Sequence, residues 1–428
     1  MLDINFIREN EKAVRKAITD KGVALDLDEL LTIDVQRRAL QQEVDDMRHQ
    51  MNEIAGAVPK AEADARGVLI EKGKELKAVA AEKEAGLQET EEQWRELMLQ
   101  VPNVPSDDSP VGDESANLEI ARWGEPTTFS FTPKSHIELG ESLDLLDLER
   151  GTKVAGFRGY YLKNELALLH WAVLWHTFRR MREKGFTVMT PPIMVRELAL
   201  VGSGHFPGER EEVYEVDASG EKVRETKYLA GTSEPSLLAY RAGEILEAAE
   251  LPLKYSGLSA CYRREVGGYG KDAKGLYRVH EFSKVEQVII CEDDLERSLE
   301  LFEELRKNAT DLLEELELPY RVLQISTGDM GAGKYKMYDI ETWMPSREGY
   351  GETHSNSHLT DWQARRIPLR YRKASGEISY PHTLNNTAIA SPRILVAIME
   401  NYQQEDGSIR IPEPLRELCG FDAIKPKS

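Results

Sequence analysis

The densest set of reactive residue types lies in Tyr262-Arg263-Arg264-Glu265, which runs into the glycine-rich Val266-Gly267-Gly268-Tyr269-Gly270-Lys271-Asp272. A second β-like segment follows, from Gly275 to Glu286. An arginine beside a glutamate at a strand end is costly if buried unpaired. A phosphate partner for Arg263 and an amine partner for Glu265 would satisfy both, and a solvated surface hairpin is the plainer account. Gly231-Thr232-Ser233-Glu234-Pro235 places two hydroxyls and a carboxylate before an apolar helix, which suits a polar pocket or simply an N-cap. Asp339-Ile340-Glu341 and Glu352-Thr353-His354-Ser355 offer hard oxygen ligands of the kind that hold Mg²⁺ against phosphates, or else two ordinary acidic strand ends. Finally, a turn-forming Asn385-Asn386-Thr387 leads towards a helix with Arg393 near its start. A cation there opposes the helix dipole unless an anion sits beside it, so a phosphate is attractive and a solvated arginine is the alternative.

These groups need a scaffold, and the chain divides into two textures. Residues 1–26 read as a short amphipathic helix and a loop. Over 27–101, Leu40, Val44, Met47, Met51, Ile54 and Val58 follow a 4-3-4-3-4 spacing, which Ile33 extends backwards. Pro59 and Gly67 bracket a polar turn, and Leu69, Leu76, Ala80, Leu87, Trp94, Leu97 and Val101 form a second seam. The pattern predicts an antiparallel helical hairpin about 45 Å long, a projecting arm. The expected N-terminal domain is 1–110, closed by a Pro-rich exit, with a linker over 111–136. Residues 137–428 mix apolar helical runs (Leu162 to Met181) with β-rich runs (Val285 to Cys291, Tyr320 to Ile325). That texture predicts an α+β domain around an antiparallel sheet. No GxGxxG or GxxxxGK[ST] occurs between a strand and a helix, so neither a Rossmann nor a P-loop site is suggested.

Bulk properties narrow the classes. No apolar run approaches the roughly 20 residues that span a bilayer. The opening Met1-Leu2-Asp3-Ile4-Asn5-Phe6 lacks an export or transit pattern. Cys261, Cys291 and Cys419 are scattered and lack CxxC spacing, so neither a disulfide framework nor a zinc site is indicated, and a reducing cytoplasm fits. The formal charge of −20 argues against nucleic-acid binding unless Lys and Arg cluster on one surface.

Together these stretches resemble the class II aminoacyl-tRNA synthetases, and the seryl enzymes in particular. Lys184-Gly185-Phe186-Thr187-Val188-Met189-Thr190-Pro191-Pro192 is similar to motif 1 of the class, the dimer-forming helix and strand. Arg263-Arg264-Glu265 and its loop resemble motif 2, and Asn386 to Arg393 resembles motif 3. The Thr-Ser-Glu triplet, the Phe282-Ser283-Lys284-Val285-Glu286 run, Gln363-Ala364-Arg365-Arg366 and the N-terminal hairpin are similar to the seryl enzymes. The resemblance covers essentially the whole chain. It implies a homodimer with an antiparallel catalytic sheet of six or seven strands, which activates L-serine with ATP and Mg²⁺ and transfers it to tRNA(Ser), and to tRNA(Sec) where that tRNA exists.

The resemblance also implies roles. Arg263 would bind the ATP α-phosphate and the serine carboxylate, with Arg393 gripping the γ-phosphate, and these two carry the catalysis. Glu265 would hold the adenine amino group and Phe282 would stack on the base, with Arg264 and Val279 nearby. Thr232, Ser233 and Glu234 would line the amino-acid pocket, and Glu286 and Thr387 would contact serine and its hydroxyl. Glu352 and Ser355 would bind Mg²⁺, and Thr353 and His354 would lie with them on the ATP side. Candidate tRNA contacts are Arg48, Lys60, Arg66, Lys72, Lys74, Lys77 and Lys271. The chain departs from the common pattern at His354, where serine is frequent, at Asn386-Thr387 in place of Gly-Ser, and at Lys271 in place of arginine. Rival readings are a ligase that loads a carrier protein, which the long arm opposes, and a catalytically dead interaction protein, which intact Arg263, Glu286, Glu352 and Arg393 oppose. A threonyl enzyme would want a zinc set that the sequence does not offer.

Overall fold

A computed structural model describes residues 1–216, 226–266 and 274–426. The chain forms two compact units, Met1–Pro102 and Asn103–Ser428.

In the first unit, two short helices, α1 (Ile4–Glu9) and α2 (Glu11–Asp20), replace the single expected one. The hairpin is α3 (Leu27–Ala57) and α4 (Ala63–Gln100). Asp26 caps α3 by accepting from the backbone of Asp28 and Glu29. The turn closes sooner than expected, so Gly67 lies inside α4. Seam positions are the shielded ones, with Val44, Ala80 and Leu87 buried, as the heptad spacing requires. At the root, the buried Asp34 carboxylate collects Arg8, Arg37 and Arg38. Farther out, Arg48 bonds Glu84 at 2.9 Å and Lys83 bonds Glu43 at 2.7 Å across the two helices.

The second unit is built on an eight-stranded sheet. Its strands are β1 (Leu118–Trp123), β2 (Thr187–Met189), β3 (Leu253–Tyr262), β4 (Glu281–Cys291), β5 (Tyr320–Gln324), β6 (Lys336–Met344), β7 (Gly349–His358) and β8 (His382–Ser391). Their order is β1-β5-β6-β7-β8-β4-β3-β2, and every pairing is antiparallel except β2 with β3. The sheet is therefore larger than expected, partly because β1 falls in the stretch 111–136 read as a linker. The Pro and Asp content there breaks helices, but it leaves the six residues LEIARW free to pair with β5.

One face of the sheet carries the core. Helices α6 (Asn164–Glu183) and α8 (Leu295–Glu315), named in order after α5 (His136–Ser142) and α7 (Glu234–Ala239), pack on it with α9 (Arg393–Asn401). Leu166, Leu169, Leu174 and Met181 of α6 are fully buried there. Each such side chain contributes about 1.5–3 kcal/mol, so Leu169→Ala would cost about 2–5 kcal/mol once the cavity is counted. The other side of α6 exposes Leu168, Trp171 and Trp175, spaced one helical turn apart.

The opposite face of the sheet is polar over a cleft and apolar beyond it, where Val288 and Ile290 of β4 pack with Leu237, Leu238 and Ile367. In β4, Val285, Gln287 and Ile289 point to the core side while Phe282, Lys284 and Glu286 line a cleft, as strand alternation demands. Among the described residues, no helix is long and apolar enough to cross a membrane, and the three cysteines are buried and unpaired.

Candidate active site

The cleft on the polar face has a volume of about 640 Å³, room for a nucleotide and a small amino acid. It is lined by Thr232, Glu234, Arg263, Glu265, Val279, Phe282, Glu286, Glu352, Thr353, Ser355, Thr387 and Arg393, so most of the expected site residues converge.

At one end, Glu286 is 2% exposed. Lys284 Nζ sits 2.5 Å from its carboxylate, and Thr232 Oγ1 donates to it at 3.3 Å. Burial pushes the Glu286 carboxyl above its ordinary range, and Lys284 opposes that shift. Glu234, also buried, is held by neutral donors. Gln363 Nε2 and Asn385 Nδ2 reach its Oε1 at 2.7 and 2.9 Å, and Thr383 Oγ1 fixes the far side of the Gln363 amide at 2.7 Å. The two carboxylates therefore differ. Glu286 is already matched by a cation, whereas Glu234 keeps an uncompensated charge that suits an ammonium group.

At the mouth, Arg263 lies just past the end of β3. Its Nε donates to Gly231 O at 3.2 Å, and its guanidinium stands 5.3 Å from the centre of the Phe282 ring. Glu265 holds a left-handed backbone at φ +51°, its carbonyl accepts from Arg158 Nη1 at 3.2 Å, and its carboxylate pairs with Arg278 at 3.2 Å.

At the third corner, Arg393 opens α9. Protein carbonyls answer the dipole conflict there, since Nε donates to Tyr277 O at 3.1 Å and Nη1 to Glu352 O at 3.0 Å. The Tyr277 ring backs the guanidinium at 4.5 Å, and the Tyr277 hydroxyl donates to Glu352 O at 3.2 Å. Tyr277 is placed in turn by its neighbour Leu276, whose N–H donates to His136 Nε2 at 3.2 Å while His136 Nδ1 meets Glu400 at 2.9 Å. Burial alone would raise the Glu400 carboxyl, but donors from His136 and Ser346 outweigh it and hold the group low.

A divalent cation fits beside Arg393. Glu352 and Ser355 face the cleft, and Asp339 on the adjoining strand carries a buried carboxylate oxygen, Oδ1, without a hydrogen-bond partner. Hard oxygens in an open setting suit Mg²⁺, which keeps several waters and takes one or two carboxylates beside substrate phosphates. Glu341, the other acid of the motif, is occupied by Arg321 at 2.5 Å.

Several expectations are corrected. Asn385, Asn386 and Thr387 are not a turn but lie within the buried β8, where Asn385 donates to Glu234 and Asn386 to Leu305 O. Ser233 does not reach the cleft, because its buried Oγ donates to Gly257 O at 3.3 Å, and it caps α7 without a side-chain bond. His354 faces away, bonded to Ala388 O, and burial pushes its pKa down to about 3. Arg264 is exposed and does not line the cleft. Lys271 lies outside the described residues. On the arm, Arg48 is paired with Glu84, Lys74 with Glu71, and Arg66 bonds carbonyls of the turn, which leaves Lys60, Lys72 and Lys77 as exposed cations. Sequence reasoning gave no role to Lys284, Gln363, Asn385 or Tyr277. Alternation from Glu286 would have placed Lys284 on the same face, but nothing local indicated the others.

Two family models match the chain. The family model for the tRNA synthetase class II core domain (G, H, P, S and T) matches residues 214–402, and that for the seryl-tRNA synthetase N-terminal domain matches residues 1–105. The chain is 51% identical over 421 residues to a serine–tRNA ligase of Deinococcus radiodurans, covering 98% of each chain. It is 42% identical to a serine–tRNA ligase of Symbiobacterium thermophilum, covering 99% of this chain and 100% of the other. The crystal structure of seryl-tRNA synthetase from Pyrococcus horikoshii complexed with ATP superposes with a TM-score of 0.90 at 38% identity, covering 100% of both chains.

Proposed function

The chain belongs to the seryl-tRNA synthetase family of class II aminoacyl-tRNA synthetases, and from that premise we propose how its cleft carries out the two-step ligation of serine to tRNA. In the first step the serine carboxylate attacks the α-phosphorus of ATP, forming seryl-adenylate and releasing pyrophosphate. The nucleophile is already ionised, so no general base is needed. Catalysis is positioning plus charge stabilisation at phosphorus.

The observation that carries this reading is the convergence of Arg263, Glu286, Glu352 and Arg393 on one cleft from four separate segments. Glu234 takes the serine ammonium, while Glu286 and Thr387 take the hydroxyl. Arg263 spans the serine carboxylate and the α-phosphate. Phe282 stacks on adenine, and Glu265 accepts its amino group. Arg393 holds the γ-phosphate. Glu352 and Ser355 hold Mg²⁺, which when bound neutralises phosphate charge and supplies Lewis acidity.

The second step needs tRNA(Ser), and the arm serves it. Lys60, Lys72 and Lys77 contact the RNA backbone, consistent with recognition of RNA helices by shape and phosphates. tRNA(Sec) is served in the same way where it exists. The exposed Leu168, Trp171 and Trp175 face of α6 supports a homodimer, since an apolar stripe of that size on a soluble surface marks an interface. The setting is cytoplasmic.

Pyrophosphate exchange across the amino acids tests the assignment. Serine alone should support it, and Glu352→Gln should raise the Mg²⁺ requirement because an amide is a poorer ligand for a hard dication. Exchange with another amino acid at the serine rate would refute the substrate. An unchanged Mg²⁺ titration would refute the metal ligand.

A further inference from the structure

His354 lies between two β-bulges. Side chains alternate along a strand, so Glu352 and Ser355, three residues apart, belong on opposite faces of β7. They share the cleft face because the register slips. Ile340 pairs with His354 and Glu341 with Glu352, which leaves Thr353 as an extra residue. The neighbouring strand β8 slips too. Glu286 pairs with Thr387 and Val285 with Ile389, which leaves Ala388 extra.

The imidazole ties both irregularities together. Its Nε2–H donates to Ala388 O at 3.1 Å, because a carbonyl can only accept. Its Nδ1 meets Thr353 Oγ1 at 2.8 Å, and that hydroxyl lies 2.7 Å from Thr342 Oγ1 on β6. The bulge lies at Ala388, which is fully buried, and His354 supplies its carbonyl with an internal donor. The line Ala388, His354, Thr353, Thr342 thus stitches three adjacent strands at the point where β7 changes its facing.

We propose that His354 is a positioning residue for the metal side of the site, locking the bulge that brings Glu352 and Ser355 to one face. The inference rests on the assignment of those two residues to Mg²⁺.

The test compares His354→Leu, which keeps bulk and loses both bonds, with His354→Gln, which keeps a donor and an acceptor. Thr353→Val removes the hydroxyl alone. Mn²⁺ binding in the presence of ATP, read by electron paramagnetic resonance, is the primary measurement, and the Mg²⁺ dependence of pyrophosphate exchange is the second. His354→Leu should weaken Mn²⁺ binding and raise the Mg²⁺ half-saturation by about tenfold or more, as loss of an orienting partner does at other metal sites. His354→Gln should fall between it and the parent, and Thr353→Val should move the same way. Metal-free AMP binding, which uses Arg263, Glu265 and Phe282, should stay within about twofold because none of those side chains bonds to His354, Thr353 or Ala388. A folded His354→Leu enzyme with unaltered Mn²⁺ affinity would overturn the proposal. If His354→Leu does not fold, unaltered affinity in Thr353→Val overturns it instead. Glu352→Gln run in parallel separates the two readings. If it leaves Mn²⁺ binding unchanged, the metal assignment itself fails, whereas a weakened Glu352→Gln beside a normal His354→Leu removes only the role of His354.

Discussion

Replacing Arg393 with alanine should separate charge stabilisation from substrate binding. The guanidinium is fixed before ATP arrives, by carbonyl bonds of 3.1 and 3.0 Å and by the Tyr277 ring at 4.5 Å, so little ordering remains for the reaction to supply. Loss of one fixed donor to developing charge costs about 2.7–4 kcal/mol, and pyrophosphate exchange should therefore fall by about 10²–10³. AMP has no γ-phosphate, so its affinity should hardly move. The side chain is 22% exposed, and its loss leaves the Tyr277 and Glu352 carbonyls without this donor. That should cost about 1–3 kcal/mol of stability, a few degrees in Tm for a unit of this size. Arg393→Lys keeps the charge but lacks the rigid planar fork that holds both carbonyls, so it should retain intermediate activity. Exchange and AMP binding measured on all three enzymes decide the matter. Arg393→Ala working at more than about a third of the parent rate would refute the role, given the magnitude expected for such a donor. An equal collapse of AMP binding would mean that Arg393 shapes the cleft rather than stabilising phosphate.

Alanine should be rejected against serine by roughly 10²–10⁴ in kcat/KM, because two hydroxyl bonds, one to the buried Glu286 carboxylate, go unmade; comparable exchange rates would sink the pocket assignment. His170 and His358 are buried and held neutral, with pKa values pushed down by burial to about 4 and about 3. The unfolded chain protonates them near pH 6.5, so it binds more protons than the native state below that pH. Stability should be full above about pH 6.5 and fall towards pH 4 by up to about 1.4 kcal/mol per pH unit for each histidine; a Tm that stays flat from pH 7 to pH 5 would contradict this. Replacing residues 45–85 with a Gly/Ser linker keeps the Asp34 ion cluster at the root of the arm, so serine-dependent exchange should survive while tRNA charging collapses. Undiminished charging would leave the arm without its assigned role. Binding of tRNA to the intact enzyme should also weaken steeply with salt, as counterion release requires.

What could be foreseen depended on range. The heptads of the arm are local, and each forecast seam residue from Leu40 to Val101 is partly or fully shielded in the structure. The reactive residues were visible as types, and most of them converge on the cleft. Their facing was not visible. A single extra residue, Thr353 or Ala388, reverses inside and outside for everything after it, and no composition or period in the sequence marks such a point. His354 was misplaced for that reason, whereas Ser233 sits at the cap of α7 and turns its hydroxyl to Gly257 O. The Asn385-Asn386-Thr387 stretch looked like a turn because asparagine favours turns. In β8 it is buried between α8 and the cleft, and Asn386 donates to Leu305 O at 2.8 Å, so tertiary bonding overrides local preference. The link from Gln363 to Glu234 spans more than a hundred positions of chain and has no local trace.

The hairpin is also a lever. With 31 residues in α3 it extends about 46 Å, so each degree of bending at the root carries the tip through roughly 0.8 Å. Errors of aim grow with length, and lysines near the tip are useful only if the shaft is stiff. The cross-helix pairs Arg48–Glu84 and Lys83–Glu43 act as rungs against such bending, even though exposed ion pairs add little to stability. Three glycines in α4, Gly67, Gly73 and Gly86, work in the opposite sense by loosening the backbone. A Cβ at Gly73 would meet only Ile54 at 3.5 Å, an ordinary contact. Compliance there is thus a matter of backbone freedom rather than a steric necessity, and the shaft keeps give along its length while Arg8 of α1 ties its root through Asp34.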